Sequence, residues 1–281
     1  MKLSTQSKLR IARRLSRIVC SARRLLGRPS HGVFERRHTR YELDLREGID
    51  LSIYLFSVFE PDVVAYYEKT VGPDAVVIDI GANIGAHTLQ LAGLCGDGGK
   101  VIALEPTAWA FGKLLRNIEL NPGLKQRIHA MQAFLGPQSF GELPESICSS
   151  WPMDVAETSA DARSEGRACS TQGASALSLD QLVESLDLQR LDLVKLDVDG
   201  HELDVLGGSH VTLSRFRPRF IVELAPYVFA DREKSIMRIL GLMQDNGYRK
   251  ARLGKHEISL ADADAIVARI PHEGGVNALI E

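Results

Sequence analysis

Apolar positions along this chain follow two rhythms. Over residues 3–27, Leu9, Leu15, Ile18, Val19, Ala22, Leu25 and Leu26 recur at helical spacing with arginines between them, and Gly27-Arg28-Pro29 stops the pattern. Residues 41–55 then predict one or two short strands, and 61–71 a helix with Pro61 in its first turn. From Val76 onward, short apolar runs alternate with amphipathic stretches. Strands are predicted at 76–80, 100–105, 127–134, 191–198, 220–224, 248–253 and 277–280, with helices at 84–94, 107–120, 202–213 and 234–246. This alternation predicts an α/β fold, a mainly parallel sheet with helices on both faces. Residues 136–176 break the rhythm. They are rich in Ser, Ala, Gly and Glu, which predicts an irregular insert or a lid.

Charge divides the chain where the pattern does. Residues 1–40 carry 12 Lys or Arg against one acid, Glu35, while the rest of the 281 residues carry 22 basic and 35 acidic side chains. The domain expectation follows: a basic amphipathic helix and linker over 1–40, and one α/β domain over 41–281. An acidic body argues against a nucleic-acid-binding core. The arm fits three descriptions: a solvated or docked extension, a peripheral contact of residues 3–27 with an anionic membrane, or a transit peptide. No apolar run reaches the roughly 18 residues of a membrane span, and no compact apolar segment resembles a secretory signal. Cys20, Cys95, Cys148 and Cys169 form no Cys-x-x-Cys pair. The expected setting is therefore cytoplasmic and reducing, with or without membrane contact.

The chemistry is concentrated where the first predicted core strand ends. Val76-Val77-Ile78-Asp79-Ile80-Gly81-Ala82-Asn83-Ile84-Gly85 places an acid and then a glycine turn ahead of a helix. Gly81 and Gly85 allow a tight turn and close approach of a ligand, and Asn83 tolerates left-handed backbone angles where a third glycine often stands. The following helix directs its positive dipole end at the ligand. Asp79 suits an ammonium or sulfonium and would repel a diphosphate, so the motif points to S-adenosyl-L-methionine rather than NAD. Glu105, twenty residues after Gly85, ends the second strand where an acid accepts hydrogen bonds from ribose hydroxyls.

A second acidic group, Asp197-Val198-Asp199-Gly200-His201-Glu202, ends a later strand. Three chemistries are open to it. Asp197 positions the cofactor or takes the substrate proton, with His201 as an alternative base. Alternatively, Asp197, Asp199 and His201 hold a divalent metal, a reading not favoured because the later ligands of a calcium loop are missing. In the third case His201 is a surface residue and Glu202 only caps a helix. Glu223, ending the next strand, aims at the same edge as a candidate substrate contact.

Val77 to Gly85, Ala103-Leu-Glu-Pro106, Asn117 with Asn121, Leu177-Ser-Leu-Asp180 and Leu193 to Glu202 together resemble the FkbM-like methyltransferase family, and Leu206-Gly207-Gly208 and Ile221-Val222-Glu223 extend the likeness. The resemblance spans roughly residues 59–224. It implies a class I (Rossmann-like) methyltransferase fold, a seven-stranded sheet whose last strand is antiparallel. It also implies methyl transfer from S-adenosyl-L-methionine, usually to a hydroxyl of a sugar, glycan or secondary metabolite. Asp79, Gly81, Asn83 and Gly85 would then line the methionine part of the cofactor, Glu105 the ribose, and Asp197 the transferring methyl. Two positions depart from the family: Asp199 stands where Glu is usual, and His201 where a small residue is. The rival functions are an NAD-dependent oxidoreductase and a non-catalytic, membrane-associated binding module.

Overall fold

The computed structural model describes residues 5–137, 143–153, 166–226, 231–271 and 274–281. The helix α1 (Thr5–Leu25) leads into a hairpin of β1 (His31–Arg36) and β2 (Thr39–Asp44), then α2 (Gly48–Phe56) and α3 (Pro61–Thr70). The core begins with β3 (Val76–Ile80), α4 (Ala86–Leu94), β4 (Lys100–Leu104), α5 (Ala108–Glu119), α6 (Pro122–Lys125) and β5 (Ile128–Met131). Next come β6 (Ala133–Leu135), β7 (Ser146–Ser150), β8 (Arg167–Ser170), β9 (Ser175–Leu177) and α7 (Leu179–Ser185). The remainder is β10 (Leu193–Leu196), α8 (Glu202–Gly207), α9 (His210–Phe216), β11 (Arg219–Leu224), α10 (Arg232–Asp245), β12 (Lys250–Leu253), β13 (His256–Ser259), α11 (Ala263–Val267) and β14 (Val276–Ile280).

The main sheet runs in the order β5-β4-β3-β10-β11-β14-β12-β13. Strands β5, β4, β3, β10 and β11 are parallel, and β14 lies antiparallel to both β11 and β12. This is the strand order that the sequence resemblance implies, with one correction: among the described residues the sheet has eight strands, not seven. The additional strand, β13, turns back antiparallel on β12 at the edge. Its segment, His256-Glu257-Ile258-Ser259, is largely exposed and has no apolar run to announce it.

Both faces of the parallel strands are covered, which is why they read as continuous apolar runs rather than alternations. Ile78, Ile102, Val194, Phe220 and Val222 pack on one side with α7, α8, α10 and α11 residues. Val77, Val101, Leu193 and Ile221 pack on the other with Val63, Tyr67 and Leu91. A third cluster, of Tyr41, Leu43, Leu45, Leu51, Ile53 and Leu114, joins the N-terminal hairpin to the core.

Four other expectations change. Residues 41–55 give only the end of a hairpin, whose strand β2 starts at Thr39, and then a helix. The strand expected at 127–134 splits at Gln132: β5 stays in the sheet, while β6 pairs with β9. The helix expected at 202–213 breaks into α8 and α9. A Cβ on Gly208 would stand 2.2 Å from the Gly136 carbonyl oxygen, so this crossing admits only glycine. Within the irregular 136–176 segment, β7 and β8 form an antiparallel pair. Residues 138–142 and 154–165 of that segment, and residues 3 and 4 of the first helix, lie outside the described residues.

Candidate active site

The turn between β3 and α4 is pinned before any ligand is considered. The Leu104 carbonyl accepts the amides of both Gly81 and Ala82, at 3.0 and 2.9 Å. Gly81 has φ +80°, and a Cβ there would fall 1.9 Å from the Asp197 carbonyl oxygen. Asn83 takes the left-handed conformation its side chain tolerates, φ 49°. Its amide donates to Glu105 Oε2 at 3.0 Å, and its Nδ2 donates to the Ser149 carbonyl at 2.9 Å. Gly85 sits at the N-cap of α4 with φ 87°.

Asp79 is fully buried beneath this turn. Its Oδ2 accepts the Thr88 hydroxyl at 2.6 Å, while Oδ1 has no hydrogen-bond partner. Glu105 ends β4 and accepts from the Thr107 amide and hydroxyl and from the Ser149 hydroxyl. Burial pushes its carboxyl above the usual range, against the pull of these hydrogen bonds. Strand β7 thus lies over the glycine turn through Ser149. Asn117 and Asn121, part of the sequence resemblance, turn out to be joinery. They bond the backbone of Ile84, Glu42 and Arg40 and fix the hairpin to α5.

At the carboxyl ends of β10 and β11 the acids converge. Carboxylate oxygens of Asp197, Asp199 and Glu223 lie within 4.8 Å of one another. This grouping differs from the Asp197, Asp199 and His201 set weighed, but not favoured, from sequence: Glu223 stands in it and His201 does not. The His201 ring instead bonds Asp204 at 3.1 Å and meets Phe134 edge-on. Asp199 is exposed as a residue, but its carboxylate turns toward Asp197 and Glu223, and its backbone has a left-handed φ of 49°. Desolvation in the crevice, then the Asp197 and Glu202 charges, push its carboxyl well above the ordinary range. Glu223 is pushed up likewise, by burial first and then by Asp197, Glu60 and Asp199. Glu202, buried at the start of α8, accepts the Val198 and Gly200 amides, and burial raises it to about 7.

Three residues in this crevice escaped the sequence reading. Lys195 is 2% exposed, and its Nζ lies 2.9 Å from Asp197 Oδ2 and 3.9 Å from Asp79 Oδ1. Burial alone would lower its pKa, but attraction to Asp197, Asp79 and Glu60 outweighs this and holds the ammonium above its ordinary range. A lone cation in the apolar run Leu193-Val194-Lys195-Leu196, two residues from Asp197, was a readable signal. Glu60 precedes α3 in a left-handed conformation, φ 46°, and receives Asn277 Nδ2 at 3.0 Å; His87 Nε2 lies 3.2 Å away. Burial would raise Glu60, yet its bond to His87 and the charges of His87 and Lys195 keep it below the usual range. Nothing in the sequence near Glu60 or His87 signals their meeting.

A cavity of about 510 Å³ is lined among others by Glu47, Trp109, Lys113 and Arg167. Arg167 pairs with Glu47 at 2.7 Å, and both Lys113 and Arg167 stack on the Trp109 ring.

The profile of the family described as the methyltransferase FkbM domain matches residues 79–250. The chain belongs to the FkbM methyltransferase domain family. The FkbM match begins at Asp79, so Glu60, Asn277 and α1 are contributed from outside it. Among curated relatives, the hexuronic acid methyltransferase AglP of Haloferax volcanii is 33% identical over 153 residues, 53% of this chain and 56% of that protein. The AMB antimetabolite synthetase AmbE of Pseudomonas aeruginosa is 28% identical over 54% of this chain and 8% of its own length. The matched region therefore spans little more than half of one relative and a small part of the other. A crystal structure of an FkbM methyltransferase from Methylobacillus flagellatus is 17% identical, covering 77% of this chain and 50% of that one, with a TM-score of 0.46. Among the described residues, no helix is long and apolar enough to cross a membrane.

Proposed function

We propose that this FkbM-domain chain transfers a methyl group from S-adenosyl-L-methionine to an oxygen of a sugar or glycan, most simply a hydroxyl. The observation that carries the reading is the acidic crevice of Asp79, Asp197, Asp199 and Glu223 beside the Gly81–Gly85 turn, with Glu105 on the adjacent strand. Asp79 Oδ1, buried without a hydrogen-bond partner, and the surplus of carboxylates over the Lys195 ammonium suit a cationic ligand. When bound, S-adenosyl-L-methionine supplies an electrophilic methyl on a sulfonium that leaves readily. Asp79, Gly81, Asn83 and Gly85 would hold its methionine part and Glu105 its ribose.

The chain's own part is alignment, exclusion of water and removal of a proton. Lys195 fixes the Asp197 carboxylate, which stands among the crevice acids while His201 is bonded to Asp204. Asp197 is therefore our preferred proton acceptor over His201, and Asp199 and Glu223 would face the acceptor. The curated AglP relative, named for a hexuronic acid, supports a sugar as the acceptor class. A second reading rests on the spacing of Asp197, Asp199 and Glu223, which would also admit a divalent cation. Activity abolished by a chelator and restored by magnesium would favour it.

The cofactor assignment is tested by calorimetry with S-adenosylhomocysteine and with NAD. Asp79→Ala and Glu105→Ala should each weaken S-adenosylhomocysteine binding by about tenfold or more, and NAD should not bind. Unchanged affinity in both variants would refute the assignment. Absence of turnover on every glycan acceptor, with binding intact, would leave the binding-module alternative standing.

Acid–base behaviour follows from the crowding. Asp199 and Glu223 are raised, so they become protonated as the pH falls through values above the ordinary carboxylate range of about 4. The cluster then loses its capacity to accept a proton, and kcat/KM should decline on the acid side at a pH above the ordinary carboxylate range. Glu223→Gln relieves the repulsion and should move that limb to lower pH. A profile flat to about pH 4.5 would remove the cluster from the proton path.

A further inference from the structure

Helix α1 is fixed to the body by one side only. The Ser16 hydroxyl, buried in the seam, donates to the Leu45 carbonyl at 2.8 Å, and Arg13 is buried beside it. Leu15, Val19 and Cys20 pack against the cluster of Tyr41, Leu43, Leu45 and Ile53. At the far end Arg23 donates to the Pro29 carbonyl and lies over the Phe34 ring. This seam settles which side of the helix faces outward.

The outward side is apolar along its middle. Ile11, Ile18 and Leu25 are 46%, 65% and 89% exposed. They are spaced seven apart, so they fall on nearly one line of the helix, with the exposed Ala22 beside them. Four exposed arginines, Arg10, Arg14, Arg17 and Arg24, border one flank of that line within about 120° of it. Residues 5–25 contain no Asp or Glu. Rotating the stripe inward would break the Ser16 and Arg23 bonds, so the body offers it no cover.

We propose that the outward face of α1 docks on an anionic lipid bilayer, the helix lying in the interface with Ile11, Ile18 and Leu25 among the acyl chains. The charge complementarity decides the occupant. A stripe this narrow with a cationic border matches lipid phosphates above hydrocarbon, whereas a protein groove would leave the arginines without partners. The helix packs on Leu45, and neighbouring Asp44 and Arg46 line the 510 Å³ cavity. Docking would therefore hold that cavity close to the lipid surface. The proposal does not depend on the methyl-transfer reading.

The test is co-sedimentation of the full chain with vesicles of phosphatidylcholine alone and of phosphatidylcholine and phosphatidylglycerol in equal parts. The wild-type chain should partition onto the anionic vesicles, weakly onto the neutral ones, and less as salt is raised. Ile18→Glu combined with Leu25→Glu should reduce partitioning roughly tenfold or more, and so should Arg14→Gln, Arg17→Gln and Arg24→Gln together. All five side chains are exposed, so the circular dichroism and thermal midpoint should not change; the arginine variant serves alone if the other misfolds. A wild-type chain that stays free of anionic vesicles at low salt overturns the proposal. Partitioning that survives loss of Ile18 and Leu25 but is competed away by RNA also overturns it, pointing to a polyanion site.

Discussion

Lys195→Ala should lower the free energy of unfolding by about 3–5 kcal/mol, the cost typical of breaking a buried ion pair by removing one partner. The Lys195 ammonium is enclosed in the core and stands between Asp79 and Asp197. Its removal takes away the cation that faces Asp79 Oδ1, which has no hydrogen-bond partner, and leaves a buried carboxylate with only the Thr88 hydroxyl beside it. Lys195→Met, which keeps most of the volume, should be nearly as damaging, because the loss is electrostatic rather than steric. Adding Asp79→Asn to Lys195→Met should recover part of the stability, since the orphaned charge is then gone. Urea unfolding followed by circular dichroism measures all three. A loss below about 1 kcal/mol for the single variants would refute a buried ion pair at this position.

Gly81→Ala should weaken S-adenosylhomocysteine binding by about a hundredfold or more and cost about 2–4 kcal/mol of stability. Two independent penalties meet at this residue. Its φ of +80° disfavours any side chain, and the added Cβ would stand 1.9 Å from the backbone oxygen of Asp197. A backbone atom cannot step aside as a side chain can. The end of β10 must shift, and Asp197 with it. Gly85→Ala makes the control: its Cβ would crowd the Leu114 Cδ1 methyl, at 2.8 Å, which can rotate away, and would touch Leu89 at an ordinary 3.9 Å. Its cost should stay near 1–2 kcal/mol. Equal effects at the two positions would show that the turn conformation, and not the approach of β10, makes Gly81 necessary.

What the chain announced and what it hid divide along physical lines. The five parallel strands were legible because burial on both faces leaves unbroken apolar runs, and Asn83 because its backbone preference is local. Asp79, Glu105, Asp197 and Glu223 were legible as strand-end acids. Strand β13 was not, since an exposed edge needs no apolar pattern. The β7–β8 pair was hidden as well, in a segment dominated by small polar residues. The meeting of Glu60 with His87 and Asn277 was beyond reach, because contacts between residues 27 and 217 positions apart leave no periodic trace. His201 lies near Asp197 and Asp199 in sequence, but its contacts with Asp204 and Phe134 depend on the turn into α8 and leave no pattern to read.

The placement of β14 has a consequence for how the crevice comes into being. This strand follows β11 and β12 in sequence yet lies between them in the sheet. Until it arrives, both neighbours hold unpaired backbone edges, which are templates for pairing with another chain. Glu223 is set in register by Asn277, the residue that also holds Glu60. The glycine turn can form early from local contacts, but the acid wall opposite it must wait for a distant strand to insert. Folding intermediates of this chain would thus be recognisable molecules with half a site, and their exposed edges make slow insertion of β14 the step most open to aggregation.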